Sequence, residues 1–470
     1  MSGATLVRDT IEAREALWRP PAPVPLPPVR SLVRAALSGE RDLLSLVPRE
    51  AYTELVFPLA GSRRGIVYVN DPALVARIFA EPDRFPKNDL FVDAVEPLVG
   101  DSLFTSSGAT WRRQRGMVDP AFGHMRINRA WPQMVAAMDD HETWLDAHAA
   151  DGTAFALDAA MASVTADVIC RTIFSQTLSA GTAHKVFERF DEFERNVATV
   201  NLKQLLLAKP WARGTQPPRV LDACRAIRAE LDALIAPRMA PGAPMIDDIV
   251  GATIAARDPA TGDAFTTSEL IDQLGVFFLA GHETTASALT WAVFMLSQRP
   301  AIVARMRAEV ATVAGDAPVA LEHAKRFTFV RDVLRETMRL YPPITFLPRV
   351  AAEACELAGR RLRRGTMIMI APWTIHRHER IWRDADRFDP DRWSPQRDEQ
   401  VPTGAYLPFG LGPRVCVGAA FATLEATMIL ARVVRRYDIE ALDPAAVRPV
   451  ARLTTRPAAP IRCRVRRRVP

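Results

Sequence analysis

The sequence predicts a mainly α protein of the α+β class, with a large helical region and a smaller β-rich region. Three observations predict it. Between about residues 105 and 340 the apolar periodicity is mostly helical. Within that region the run "LGVFFLAGHETTASALTWAVFML" at 274–296 forms the middle of one very long helix. Around it lie short β-like runs, "GIVYV" from 65 and "TMIMIAP" from 366, the second inside a Pro-, Arg- and Trp-rich stretch from about 345 to 405.

Taken in order, residues 20–28, "PPAPVPLPP", cannot be helical and read as an extended strap leading into the fold. "GIVYVNDPALVARIFAE" at 65–81 reads as a strand, a turn and a helix. Gly- and Pro-bearing loops near 151, 214–218, 241–244 and 258–262 separate the helices that follow. The apolar run "NLKQLLLAKPW" at 201–211 reads as a lid or substrate entrance, or as plain helix packing. Thr266 with Glu269 three residues on resembles a capping box, and a helix from there can continue to Gln298, ahead of Pro300. About 32 residues at 1.5 Å each give roughly 48 Å, enough to cross a whole domain.

The 470 residues are 49% hydrophobic, enough to bury a large core, and no internal repeat is visible. By length the chain could hold about three average domains, but large single-domain enzymes also reach this size. Net charge is +6, and only five of the 60 basic residues are lysines. The charges are dispersed, and no basic block is interleaved with aromatics, so a nucleic-acid partner is not expected. The tail "RCRVRRRVP" reads as a solvated end. A modest positive excess can steer an acidic partner protein. Cys170, Cys224, Cys355, Cys416 and Cys463 are far apart, without a CxxC pair, which fits a reducing compartment and neither zinc nor a disulfide framework. The N-terminus carries charges throughout, unlike a signal peptide. The 274–296 run holds His282, Glu283, Thr284 and Thr285 at its centre, where lipid would penalise them. A cytoplasmic protein without a membrane anchor is therefore expected.

The chemistry concentrates in "FGLGPRVCVG" at 409–418, which an apolar helical pattern follows at once. A thiolate that persists as a metal ligand needs stabilisation, which the N–H groups and dipole of a helix N-terminus supply. Gly412 and Gly418 let the backbone approach a flat ligand or adopt unusual dihedrals. Pro413 stiffens the loop, and Arg414 adds a fixed positive charge. One thiolate without other nearby metal ligands suits a ligand that brings its own four donors, haem; a buried cysteine in a turn is the bland alternative. The spacing Phe409-x-x-Gly412-x-Arg414-x-Cys416-x-Gly418 resembles the haem-binding signature of the cytochrome P-450 family at every fixed position. Phe421 and Glu425 resemble the family's following helix. The resemblance implies the P-450 fold, with haem b between the long central helix and the helix after the cysteine loop. Cys416 is then the axial ligand of the haem iron.

Three further stretches fit the same family in the same order. "AGHETTASAL" at 280–289 places Glu283 beside Thr284 inside an apolar helix, where a mid-helix Thr can bend the helix and Gly281 makes room. It resembles the oxygen-activating motif, with Glu283 and Thr284 in the acid and alcohol places; a polar patch between packed helices is the alternative. "LRETMRLYPP" at 334–343 puts Glu336 and Arg339 on one helix face. Alone this reads as a surface ion pair; with "FDPDRW" at 388–393 it implies a structural Glu336–Arg339–Arg392 network behind the haem. "WRRQRGMVDPAF" at 111–122 puts Trp111 and Arg115 on one helical face, as donors to a haem propionate, while Arg112 and Arg113 point elsewhere, toward an electron donor. Without the cysteine loop it would be an ordinary amphipathic helix. Arg349 and Arg414 are further propionate candidates by position. His376 and His378 lie in "IHRHERIW", a stretch usual in the family, and receive no catalytic role. Pocket walls carried over by position are Leu90, Phe91, Val95, Leu98, Leu279, Ala280, Ile344, Leu347 and Thr454; each also reads as ordinary core.

The resemblance implies a soluble bacterial-type haem-thiolate monooxygenase in one domain spanning 1–470, with residues 1–30 as a Pro-rich strap and no fused reductase. It would insert one oxygen of O2 into a lipophilic small molecule of terpene, steroid, fatty-acid or aromatic type, by hydroxylation or epoxidation. Electrons would come from NAD(P)H through a separate ferredoxin reductase and iron–sulfur ferredoxin, and the enzyme would be a monomer. Two alternatives stay open: a peroxide-using haem-thiolate enzyme, and a non-catalytic haem sensor. The intact acid–alcohol pair at Glu283–Thr284 argues against both.

Overall fold

Pro-rich chain cannot complete a helix or central strand, and residues 18–27 of the strap accordingly form neither, while a short helical turn starts at Pro28, where a proline is tolerated. Leu26 forms a parallel bridge with Pro48, and the Tyr341 hydroxyl donates to the Pro21 carbonyl at 2.7 Å. The computed structural model describes residues 18–468 except 32, 34–41, 60–63, 180–183, 191–192, 194–215 and 398–399. The run 201–211, read as a lid or packing helix, lies outside the described residues.

Strands β1 (Val56–Leu59) and β2 (Ile66–Val69) pair antiparallel, and α1 (Pro72–Ala80) follows β2 directly. This is the strand, turn and helix expected over 65–81. Asp71 accepts the Leu74 N–H at 2.9 Å, and Pro72 takes the first helical position, where its missing donor costs nothing. Asn88 caps α2 (Asp89–Val99) in the same way. There follow α3 (Gly108–Val118), α4 (His124–Asp151), β3 (Phe155–Ala156), α5 (Leu157–Phe174) and α6 (Pro218–Met239).

The long helix, α7, spans Thr267–Ser297, 31 residues. Its capping box is formed: the Thr266 hydroxyl accepts the Glu269 N–H at 3.2 Å, and Glu269 accepts the Thr266 N–H at 2.9 Å. Arg113 of α3 pairs with the same Glu269. The helix is apolar on most sides because it runs through the core, packed on α5. Its polar middle is buried too, His282 at 2% and Glu283 at 6% exposure. No helix among the described residues is long and apolar enough to cross a membrane.

Beyond it come α8 (Pro300–Ala314), α9 (Thr328–Leu340), strands β4 (Arg349–Val350), β5 (Cys355–Leu357), β6 (Arg360–Leu362) and β7 (Met367–Met369), then α10 (Ala419–Arg436) and β8 (Tyr437–Ala441), β9 (Pro449–Ala451), β10 (Thr455–Pro457) and β11 (Arg462–Arg467). One sheet has the order β1-β2-β7-β4; β2 and β7 pair in parallel, Ile66 opposite Met367. A second sheet has the order β3-β11-β8. The basic tail is therefore not a solvated end. It is the central strand of that sheet, with Cys463 and Val465 buried and the intervening arginines exposed. Alternation of side chains across a strand explains the pattern.

Candidate functional site

Cys416 stands three residues ahead of α10, and its N–H donates to the Phe409 carbonyl at 2.9 Å, which closes the loop. The thiol opens onto a cavity bounded by this loop, α7, α3 and the 343–349 segment. Burial pushes the thiol up, against the opposing Gly418 N–H and the Arg115 charge. The helix end therefore does not outweigh burial, and a bound metal cation would favour the thiolate. Gly412 is required for a reason other than ligand approach. Its φ is +71°, and a Cβ there would meet the Phe79 carbonyl oxygen of α1 at 2.5 Å. Gly418 has an ordinary φ of −87°, so the unusual dihedral expected there is absent.

The α7 wall follows helical periodicity. Val276, Phe277, Ala280, Gly281, Thr284, Thr285 and Ala288 face the cavity. Thr284 donates back to the Ala280 carbonyl at 2.7 Å. Glu283, on the side of α7 away from this stripe, does not line the cavity. Its carboxylate pairs with Arg456 Nε of β10 at 2.5 Å and accepts from the Thr454 hydroxyl. The room at Gly281 is taken by Ile169 of α5, whose Cδ1 would lie 2.6 Å from a Cβ at that position.

Of the pocket walls carried over by position, Phe91, Ala280, Ile344 and Leu347 line the cavity, and five others do not. Val95 and Leu98 lie on the face of α2 turned into the main core, and Leu90 packs beside the β1–β2 sheet. Leu279 shares the face of Glu283, four residues away, and is buried. Thr454 is occupied by Glu283.

The cavity rim carries four basic side chains, Lys87, Arg115, Arg349 and Arg414, and no carboxylate or histidine among the described residues lines it. Arg115 donates to the Val415 carbonyl at 2.7 Å and pairs with Asp119 at 2.5 Å. The Arg414 guanidinium stacks over Trp111 at 4.3 Å and donates to the Ser106 carbonyl at 2.7 Å, while its Nη1 is buried without a partner. Arg349 lies over the Phe79 ring at 4.5 Å. Burial, and then the neighbouring Arg414, bring Arg349 down to about 9. Burial brings Arg414 down to about 10. Buried Lys87 is pushed well below its ordinary value by burial and by Arg414 and Arg349. Such a cluster is destabilised alone and suits a ligand carrying negative charge. Arg112 and Arg113 face elsewhere, on Asp83 and Glu269.

Behind the cavity, Arg339 meets Glu336 in a two-pronged contact, Nε and Nη2 each at 2.8 Å, with neither side chain exposed. Arg392 Nε adds an ion pair to Glu336 at 3.5 Å. Arg339 also donates to the carbonyls of His376, Ala385 and Arg387. Sequence reasoning missed Lys87, Arg456 and the aromatic walls Phe104, Phe122 and Phe277. Lys87, one of five lysines and next to a helix cap, left a faint signal; Arg456 left none.

A family model for Cytochrome P450 matches residues 20–461. This chain belongs to the cytochrome P450 family. Cyclooctatin synthase of Streptomyces melanosporofaciens is 31% identical over 419 residues, 88% of this chain and 89% of the relative. Pentalenene oxygenase of Streptomyces avermitilis is 31% identical over 401 residues, 85% and 87% respectively. The cytochrome P450DA heme domain superposes with a TM-score of 0.78 at 23% identity, covering 96% of this chain and 99% of that one, a likeness of fold. The chain is thus a P450 monooxygenase with the mainly α P450 fold, and its family implies haem and O2. The cavity fits that group: one thiol, no histidine or carboxylate among the described lining residues, a largely apolar interior and cations where an anionic edge would lie.

Proposed function

We propose that this P450 inserts one oxygen atom of O2 into a terpene-type molecule, by hydroxylation or epoxidation, with electrons passed from NAD(P)H through a ferredoxin reductase and a separate ferredoxin. The observation that carries the reading is the Thr284 hydroxyl, set in an acid-free apolar wall of the cavity onto which Cys416 also opens. The bacterial relatives named for pentalenene and for cyclooctat-9-en-7-ol support the substrate class. The intact Glu283–Thr284 pair supports oxygen activation over peroxide use or sensing. The reading takes the chain as a single cytoplasmic, monomeric P450 domain.

Cys416, with Trp111, Lys87, Arg115, Arg349 and Arg414, would hold haem, which when bound would supply the binding and reductive activation of O2. The chain's own residues do the rest. Phe91, Phe104, Phe277, Ile344 and Leu347 orient an apolar substrate and exclude water. Thr284 holds a proton at Oγ1 and passes it into the cavity. Glu283 restores that proton once its carboxylate has left Arg456 and taken up a proton from solvent. Glu336, Arg339 and Arg392 fix the segment behind the haem.

The test is reconstitution with ferredoxin, reductase and NADPH on polycyclic terpene hydrocarbons. Parent protein should consume NADPH and form product. Thr284→Ala should keep the substrate-induced spectral shift but lose product per NADPH by about tenfold or more, since a positioned proton donor contributes ~10²–10⁴-fold. An unchanged yield removes Thr284 from proton delivery. Turnover with peroxide alone, or none at all, favours the peroxide-using or sensor readings.

A further inference from the structure

His376 lies outside the cavity and takes no part in the chemistry above, yet it is fully buried and both of its ring nitrogens are engaged. Nε2 accepts the Leu407 N–H at 2.8 Å. Nδ1 lies 3.2 Å from the Arg339 carbonyl, which can only accept, so Nδ1 carries the proton. Burial brings this imidazole down to about 3, so the ring is neutral and keeps one donor and one acceptor nitrogen. The His376 carbonyl in turn accepts from Arg339 Nη1 at 2.7 Å. Tyr406 packs on the ring at 5.3 Å and anchors its own hydroxyl on the Arg335 carbonyl at 3.0 Å. One side chain therefore ties α9 to the segment that enters the cysteine loop.

Leu407 is the foot of that loop. Its N–H goes to His376, and its carbonyl accepts the Gly410 N–H at 3.2 Å. Two residues on, the Phe409 carbonyl takes the Cys416 N–H. The bonds at Gly410 and at Phe409 close the loop on itself. The His376–Leu407 bond is of a different kind, because it fixes this foot against another element.

We propose that His376 is a positioning residue for the thiolate ligand: through its Nε2–Leu407 bond it locks the foot of the cysteine loop to the Glu336–Arg339 helix and holds Cys416 in ligating register. The proposal rests on Cys416 being the axial ligand. It goes beyond a structural role, because loss of the bond should loosen the thiolate before the fold.

Glutamine and asparagine separate the two ring nitrogens. His376→Gln can present an acceptor near the Nε2 position, whereas His376→Asn reaches only the Nδ1 position. Full-length, haem-loaded variants are reduced under carbon monoxide. The difference band of thiolate-ligated haem is then followed during a slow thermal ramp beside far-ultraviolet circular dichroism, and haem transfer to an excess acceptor protein is timed. His376→Gln should keep the thiolate band until global unfolding and release haem at the parental rate. His376→Asn should convert to the shorter-wavelength band of haem without thiolate while still folded. It should also release haem about tenfold faster, the scale of one lost buried hydrogen bond. Asparagine behaving like glutamine in both readouts would overturn the proposal. If His376→Asn does not fold, His376→Gln decides alone, and loss of its thiolate band ahead of unfolding overturns the role. A parent protein without any thiolate band refutes the Cys416 assignment instead.

Discussion

Glu425 of α10 is a carboxylate with no solvent and no cation within reach. It is fully buried, and neither oxygen has a hydrogen-bond partner of good geometry. Burial raises it well above the ordinary carboxylate range, and the Thr285 hydroxyl is close enough only to oppose that shift slightly. Burial therefore favours the neutral acid in the folded protein, whereas the unfolded chain ionises it at neutral pH. A raised folded value stabilises fully below the unfolded pKa, and that contribution is lost as pH rises toward the folded one. Glu425→Gln should match the parent in stability near pH 4 and gain on it above the unfolded value, by up to about 1.4 kcal/mol per pH unit. Denaturant unfolding at several pH values measures this, and a gain independent of pH would show that Glu425 is not protonated. At this scale residue identity was legible and orientation was not. The Glu283–Thr284 pair was visible in "AGHETT", but only the structure directs the two side chains apart, because Arg456 from a distant strand claims the carboxylate.

Elements were more legible than contacts. The capping box at Thr266 and the stop before Pro300 are local signals, and α7 runs between them. The cavity-facing stripe of α7 follows from period, but which stripe faces the cavity depends on α5 filling the gap at Gly281. The same holds for the cysteine loop, whose glycine pattern was visible while the partner of Gly412 was not. Gly412→Ala would place a side chain at positive φ and against the Phe79 carbonyl of α1. Left-handed φ alone costs an L-residue about 1–2 kcal/mol, and a backbone clash adds to it. The variant should unfold at lower temperature and retain less haem after purification. Parental values for both would mean that the loop and α1 can move apart freely.

Across the whole molecule, the Glu336–Arg339–Arg392 cluster ties α9 to the irregular 385–393 segment and, through His376, to the cysteine loop. The Asp389 N–H and the Trp393 indole complete the bonding of Glu336, at 3.0 and 3.1 Å. Glu336→Gln leaves two buried guanidiniums without their counter-charge. Breaking such a pair costs about 3–5 kcal/mol, read as a lower denaturation midpoint together with loss of haem. A midpoint within error of the parent would reduce the cluster to a neutral polar contact.

The sequence by itself determined the family, the thiol that faces the cavity, the long capped helix and the residues of the buried cluster. Each of these rests on spacing within one short segment, or on segments read in family order. The tertiary structure alone decided that Glu283 turns to Arg456, that Leu90, Val95, Leu98, Leu279 and Thr454 leave the cavity wall, that Lys87 joins the cation rim, and that the basic tail is a central strand. Those outcomes depend on which surfaces meet across hundreds of residues, and side-chain direction is set by packing partners that local periodicity does not name.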